Sequence, residues 1–123
     1  MTRPLVSFVI PAYNAAPTIA ETLDSLAECG IEDHEVVIVD DGSTDGTSQL
    51  VSGRLAPSWK LIGFDANRGL STALNTGIAL ASGLFIARID ADDICMPGRV
   101  ARQLAHSGSR HSATHLTQGH TAV

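Results

Sequence analysis

Apolar residues in this chain come in short runs divided by polar clusters. Leu5-Val6-Ser7-Phe8-Val9-Ile10 is β-rich and stops at Pro11, which cannot donate to a ladder, so a buried strand is expected there. From Ala16 to Cys29 the period changes. Ile19, Leu23 and Leu26 recur at helical spacing among Glu21, Asp24 and Glu28, and Gly30 stands where a C-cap glycine belongs. Glu35 to Val39 reads as a second buried strand. It runs into the polar turn Asp40 to Gly46, where Ser43 or Asp45 can cap a short helix from Thr47 to Leu55 that Pro57 ends. Trp59 to Phe64 reads as a third strand, with both aromatics expected in the core, and Asp65 to Gly69 as the turn after it. Leu70, Ala73, Leu74, Ile78 and Ala81 share one side of a helix over 70–81, with Gly83 as its stop. Leu84 to Ile89 is the fourth strand and ends in Asp90-Ala91-Asp92-Asp93. A last helix is expected after Pro97, through Val100 and Leu104.

Strand alternating with helix predicts an α/β fold, a Rossmann-like open parallel sheet with helices on both faces. Parallel strands place all their C-terminal ends on one edge, and ligands of such sheets bind in the crevice there. Four polar loops should therefore meet: residues 11–14, 40–45, 65–69 and 90–93. Residues 107–123 differ from the rest, being rich in Ser, Thr, His, Gly and Gln with almost no large apolar side chain. They are expected to form a disordered tail.

Composition narrows the function classes. A chain of 123 residues suits one domain with a core of its own. Its net charge of -5, with basic residues scattered, disfavours nucleic acid as a partner. Cys29 and Cys95 lack metal or disulfide spacing and read as small buried hydrophobes. His106, His111, His115 and His120 lie in a segment of weak helix propensity without carboxylate support, which disfavours a metal site. No apolar run reaches membrane length. The chain is expected to be soluble and cytoplasmic, with any membrane association belonging to an intact parent protein.

The candidate chemistry sits in the loops. Three carboxylates within Asp90-Ala91-Asp92-Asp93 repel one another unless a cation balances them. Mg²⁺ or Mn²⁺ fits, because such ions take one or two protein carboxylates and complete their shell with phosphate and water. A solvated acidic turn accounts for the cluster equally well when it is taken alone. Asp40-Asp41-Gly42-Ser43 can present a carboxylate to a ribose or a base edge, or can simply be a capped turn. Arg68 can grip phosphate and Gly69 can admit backbone close to a ligand, or the two can form a tight turn with an exposed arginine. Neither Gly-x-Gly-x-x-Gly nor a P-loop is present, which counts against a dehydrogenase and an NTPase.

Taken together, Ile10-Pro11-Ala12-Tyr13-Asn14, Val39-Asp40-Asp41-Gly42-Ser43-Thr44-Asp45, Asn67-Arg68-Gly69 with Ala73, Asn75 and Gly77, and Asp90-Ala91-Asp92-Asp93 with Met96-Pro97-Gly98-Arg99 resemble the family-two glycosyltransferases of GT-A fold. The likeness covers roughly residues 4–106, which it marks as the N-terminal nucleotide-binding part of such a domain. It implies a nucleoside-diphosphate sugar as partner, a UDP-sugar first among the candidates, and Mn²⁺ or Mg²⁺ as cofactor. It further implies a saccharide or lipid-linked acceptor and a place in cell-wall or polysaccharide biosynthesis. Pro11, Ala12, Tyr13 and Asn14 would lie along the nucleotide, with Tyr13 near the base. Asp41 would bind the base edge with Asp40 in support, and Asn67, Arg68 and Gly69 would lie near base and phosphates. Asp90 and Asp92 would form the Asp-x-Asp element: Asp92 touches the metal, Asp90 reaches ribose or metal through water, and Arg88 balances their charge.

The resemblance also implies a carboxylate general base well past the Asp-x-Asp element. No Asp or Glu follows Asp93, so no catalytic residue is assigned. The sequence after Leu104 departs from the family, which suggests a frameshift, a truncated gene or a fragment, incomplete as a GT-A domain. A catalytically inactive fragment that binds nucleotide sugar and metal is the alternative. A nucleotidyltransferase is disfavoured because Pro11-Ala12-Tyr13-Asn14 stands where its glycine- and lysine-containing loop belongs. A sheet edge left unpaired by truncation predicts aggregation or the need for a partner.

Overall fold

The computed structural model describes residues 3–28, 33–94 and 114–117. The helix expected after Pro97, the Gly30 cap, both cysteines, and His106, His111 and His120 lie outside the described residues. The elements are β1 (Val6–Ala12), α1 (Ile19–Ala27), β2 (His34–Asp40), α2 (Thr47–Ser52), β3 (Lys60–Gly63), α3 (Leu70–Leu80), β4 (Phe85–Arg88) and β5 (Thr114–Thr117). The sheet order is β3-β2-β1-β4-β5 and every pairing is parallel.

The expected strands and helices up to residue 90 are present, with shifted ends. The first helix begins at Ile19 instead of Ala16, after a turn over residues 16–18 in which Thr18 N–H and Ile19 N–H both donate to Ala15 O, at 3.0 and 2.8 Å. The expectation of a tail without structure is corrected at Thr114–Thr117, which pairs with β4 from Phe85↔Thr114 to Arg88↔Thr117. On that side β4 is an inner strand and not the unpaired edge expected.

Alternation along the strands sends side chains to two layers. Val6, Phe8, Ile10, Val36 and Ile38 form one core with Ile19, Leu23 and Leu26 of α1 and Val51 of α2. α3 covers the other face, where a Cβ on Gly77 would stand 2.5 Å from Val9 Cγ1 and 3.2 Å from Val39 Cγ2. Gly77 therefore sets how closely α3 approaches the sheet.

β1 is the central strand, and Pro11 shapes the edge where it ends. Val9 accepts from Ile89 N–H at 3.1 Å on the β4 side, and Ala12 accepts from Asp41 N–H at 2.8 Å on the β2 side. The next bond toward β4 would need an N–H from residue 11, and proline has none. The β1–β4 ladder accordingly stops at Val9↔Arg88, while the β1–β2 ladder continues to Ala12↔Asp40. The chain after Ile89 is released at the point where strand order reverses about β1, the position at which open α/β sheets form their crevice.

The opposite edge is closed by a buried carboxylate that sequence reading passed over. Glu35 accepts from Ser7 Oγ at 2.6 Å, Ser82 N–H at 2.7 Å and Ser82 Oγ at 3.0 Å, and pairs with Lys60 Nζ at 3.3 Å. Ser7 Oγ in turn accepts from Gly83 N–H at 2.8 Å. One carboxylate thus ties β1, β2, β3 and the entry to β4. Burial pushes the Glu35 carboxyl up, but the Ser7 hydroxyl, the Ser82 N–H and hydroxyl and the Lys60 charge outweigh burial and hold it below its ordinary value of 4.5.

A carboxyl lowered in the folded state stabilises the protein above its unfolded pKa, and that contribution is lost as pH falls through the folded value. At neutral pH, Glu35→Gln should lower unfolding free energy by about 1–2 kcal/mol in denaturant titrations, through loss of charge-assisted acceptors. Repeated from neutral pH to below the ordinary carboxyl range, the titrations should show the difference between wild type and variant shrinking in acid. A constant difference would refute the assignment.

Candidate functional site

The C-terminal ends of β1, β2 and β4 and the loop after β3 meet at one rim. Two cavities open there and share Pro11 and Tyr13. The first, about 220 Å³, is lined by Pro11, Ala12, Tyr13, Asp41, Asn67, Gly69, Leu70 and Ala73. The second, about 250 Å³, is lined by Pro11, Tyr13, Asn14, Ala15, Thr18, Ala91 and Asp92. Tyr13, 51% exposed, stands between them as an open aromatic surface.

The first cavity has a rigid floor because Asp41 is held by three of its neighbours. Its carboxylate accepts from Arg68 N–H at 2.6 Å, Gly69 N–H at 3.0 Å and Asn67 Nδ2 at 3.1 Å. A carboxylate has about four acceptor positions. One therefore remains for a ligand after Asp41 has fastened the loop after β3 to the end of β2. Gly42 makes the join possible. Its φ is +78°, and a Cβ there would lie 2.5 Å from the Ala66 carbonyl carbon and 2.6 Å from Asn67 N. Asp40 turns inward, where Oδ1 accepts from Ser43 N–H at 3.0 Å.

The loops after β1 and β2 are stitched together. Asn14, in left-handed backbone at φ 51°, donates its N–H to Ser43 Oγ at 2.8 Å and accepts from Thr44 N–H at 2.8 Å. Asp45 Oδ1 accepts from Thr47 Oγ1 and N–H, so Asp45 closes the start of α2 although Gly46 is the N-cap residue. The Thr47 hydroxyl, with the Ala16 and Thr47 N–H groups, holds the Asp45 carboxyl below its usual range against a smaller opposing effect of desolvation.

On the β4 side, Asp93 N–H donates to Asp90 O at 3.0 Å, which closes a turn with Ala91 and Asp92 at its centre. Arg88 pairs with Asp90 at 3.3 Å, and Asp92 is exposed at the second cavity. Among the described residues no three potential ligands converge on one point. A hard cation at Asp92 would thus draw most of its oxygen ligands from a bound molecule and water, which suits Mg²⁺ or Mn²⁺ beside phosphate.

Of the residues singled out in the sequence, Pro11, Ala12, Tyr13, Asp41, Asn67 and Gly69 gather at the first cavity, and Pro11, Tyr13, Asn14 and Asp92 at the second. Asp40, Arg68, Arg88 and Asp90 line neither. The Arg68 guanidinium lies 4.5 Å over the Phe64 ring, so Phe64 is a half-buried platform and not the core aromatic expected. Trp59 does pack against the core.

A model of the family described as Glycosyl transferase family 2 matches residues 7–117. The chain belongs to glycosyl transferase family 2. It is 45% identical over 102 residues to the succinoglycan biosynthesis protein ExoO of Rhizobium meliloti, covering 82% of this chain and 29% of that protein. It is 39% identical over 99 residues to chondroitin synthase of Escherichia coli, covering 79% of this chain and 14% of that protein. A mannosyltransferase from Pyrobaculum calidifontis, solved with GDP-Man and Mn²⁺, superposes with a TM-score of 0.78 at 33% identity over 89% of this chain and 34% of its own. S. aureus TarS 1-349, solved with UDP-GlcNAc, does so with a TM-score of 0.76 at 31% identity over 84% of this chain and 31% of its own. The sheet is thus that of GT-A glycosyltransferases, and the chain spans less than a third of the length of these two curated relatives.

At this rim sequence reasoning missed Leu70, which walls the first cavity, and Thr18 and Ala15 at the second, and gave no role to Ala73 and Ala91, which its motifs contained. Leu70 could have been noticed, since it opens a helix as a large apolar residue and stays 54% exposed. The position of Thr18 depends on contacts far away in sequence. Gly42→Ala should cost about 2 kcal/mol or more in denaturant unfolding, because backbone blocks the added methyl and φ is positive. An unfolding curve like that of wild type would show that the loops are not held in this contact.

Proposed function

We propose that residues 4–106 form the donor half of a metal-dependent glycosyltransferase, which holds a nucleoside-diphosphate sugar for transfer to the hydroxyl of a saccharide or lipid-linked acceptor. The observation that carries this reading is the pair of cavities joined at Tyr13, one framed by Asp41 and Asn67 and the other by Asp92. The first suits a base: Tyr13 and Leu70 offer flat apolar contact, and the remaining acceptor position of Asp41 can take an N–H from the base edge. The second suits a diphosphate and its cation. Asp92 is the residue that would hold Mn²⁺ or Mg²⁺, with Asp90, balanced by Arg88, reaching ribose or metal through water. A divalent cation there supplies Lewis-acid neutralisation of the departing nucleoside diphosphate. The residues of the chain bind and orient the donor. The Asp41-bound loop gives the base a fixed seat, and the α1–β4 side fixes Asp92. Solved relatives bound to UDP-GlcNAc or to GDP-Man with Mn²⁺, and curated relatives named for polysaccharide synthesis, support the reading. Among the described residues no helix is long and apolar enough to cross a membrane.

One observation favours donor binding without transfer for these 123 residues as they stand. No Asp or Glu follows Asp93, so a carboxylate base for the acceptor hydroxyl is not supplied by residues 94–123.

Isothermal titration of the chain with UDP and with GDP, in Mn²⁺ and then in chelator, tests the reading. Mn²⁺ should tighten nucleotide binding, and Asp92→Ala should remove roughly tenfold or more of that affinity. Incubation with UDP- and GDP-sugars should release little nucleoside diphosphate above the Asp92→Ala control. Nucleotide affinity indifferent to both chelator and Asp92→Ala would overturn the metal assignment.

A further inference from the structure

Thr22 of α1 and Thr18, the residue just before that helix, converge on one backbone oxygen of the acidic turn. Thr22 Oγ1 donates to Ala91 O at 2.9 Å and Thr18 Oγ1 to the same oxygen at 3.1 Å. A threonine within a helix ordinarily returns its hydroxyl to the carbonyl four residues back. Thr76 of α3 does so, donating to Thr72 O at 2.8 Å. Thr22 instead reaches out of its helix, although it is fully buried and its own N–H bonds Thr18 O at 3.1 Å. Thr18 precedes α1, and its hydroxyl makes no cap bond to that helix.

The carbonyl they hold belongs to the central peptide of the turn closed by Asp93 N–H and Asp90 O. Rotation of that peptide is the freedom that separates the two common turn types, and the rotated form needs positive φ at the third residue. That residue is Asp92. Asn14 is the only described non-glycine with positive φ, so Asp92 occupies the unrotated form. With both lone pairs of Ala91 O engaged, rotation would strand the fully buried Thr22 hydroxyl, while half-buried Thr18 could fall back on Ala15 O, 3.4 Å from its Oγ1.

We propose that Thr22, assisted by Thr18, is a positioning residue that locks the Ala91–Asp92 peptide and so aims the Asp92 carboxylate into the second cavity. The lock works from the protein side alone and sets the direction of Asp92 before any cation arrives. It rests on the donor-site reading for its consequence, but the lock itself is a property of the turn.

The test uses the full chain with Thr22→Val, Thr22→Ser, Thr18→Val and Asp92→Ala. Mn²⁺ affinity in the presence of UDP is read by electron paramagnetic resonance, and UDP affinity in chelator by calorimetry. Thr22→Val should weaken Mn²⁺ binding about tenfold, in the range for lost outer-shell support. Its metal-free UDP affinity should match wild type. Thr22→Ser should restore Mn²⁺ binding, and Thr18→Val should give a smaller loss, which keeps the test open should Thr22→Val not fold. Unchanged Mn²⁺ affinity in both valine variants overturns the proposal, as does failure of Thr22→Ser to restore it.

Amide hydrogen exchange at Asp93 without metal separates this inference from the functional reading. Protection should fall in Thr22→Val and persist in Asp92→Ala. If wild type binds no Mn²⁺ with UDP, the donor-site reading fails, while loss of Asp93 protection in Thr22→Val still supports the lock. Equal protection in all variants overturns it.

Discussion

Pro11 has no amide proton, and the sheet parts where that proton is missing. β1 is bonded on both sides up to Val9, then on the β2 side alone through Ala12. This asymmetry frees the chain after Ile89 and keeps the ends of β1 and β2 in register. Tyr13 emerges at the junction, where it borders both cavities. The two halves of the rim are then built by opposite means. On the β2 side a buried carboxylate, Asp41, gathers the amides of the loop after β3. On the β4 side a backbone carbonyl, Ala91, is gathered by the hydroxyls of Thr22 in α1 and of Thr18 just before it.

The difference in means fits the chemistry proposed for each half. A buried carboxylate whose charge is met by backbone N–H groups fixes a loop firmly and still leaves an acceptor position for a neutral N–H. The carboxylate proposed to hold a cation, Asp92, is exposed, so its direction has to come from the backbone. Charge is thus separated along the rim, satisfied at Asp41 and available at Asp92. The remote edge of the sheet carries its own carboxylate, Glu35, whose bonds join the N-terminal ends of the strands and leave the ligand rim free of that duty.

Much of this rim was legible in the sequence because its logic is local. Each strand ends in polar residues adjacent to it, and parallel alternation brings those ends together. The four loops could be located for that reason, and the resemblance to family-two glycosyltransferases then picked out Tyr13, Asp41, Asn67 and Asp92 within them. Contacts that join distant segments were not legible. Thr22 and Ala91 lie 69 residues apart, and nothing in the helical pattern distinguishes Thr22 from a threonine bonded within its helix. Phe64 fitted an apolar strand pattern, yet it carries Arg68, because β3 is the outer strand there and its end is open to solvent. Thr114–Thr117 was set aside for want of apolar residues, but a strand can be held by backbone bonds alone. Glu35 looked like the polar lead-in to a strand, and its burial depends on Ser7 and Ser82 arriving from elsewhere.

In the function proposed above, a divalent cation and a nucleoside diphosphate occupy this rim together. Paramagnetic broadening tests it most directly: Mn²⁺ added to the isotopically labelled chain with UDP should erase amide signals near the ion. Early loss is expected at Tyr13, Ala91 and Asp92, with Ser7, Glu35 and Gly83 at the opposite edge untouched. Broadening centred away from Asp92, or spread evenly over the acidic surface with and without UDP, would contradict it.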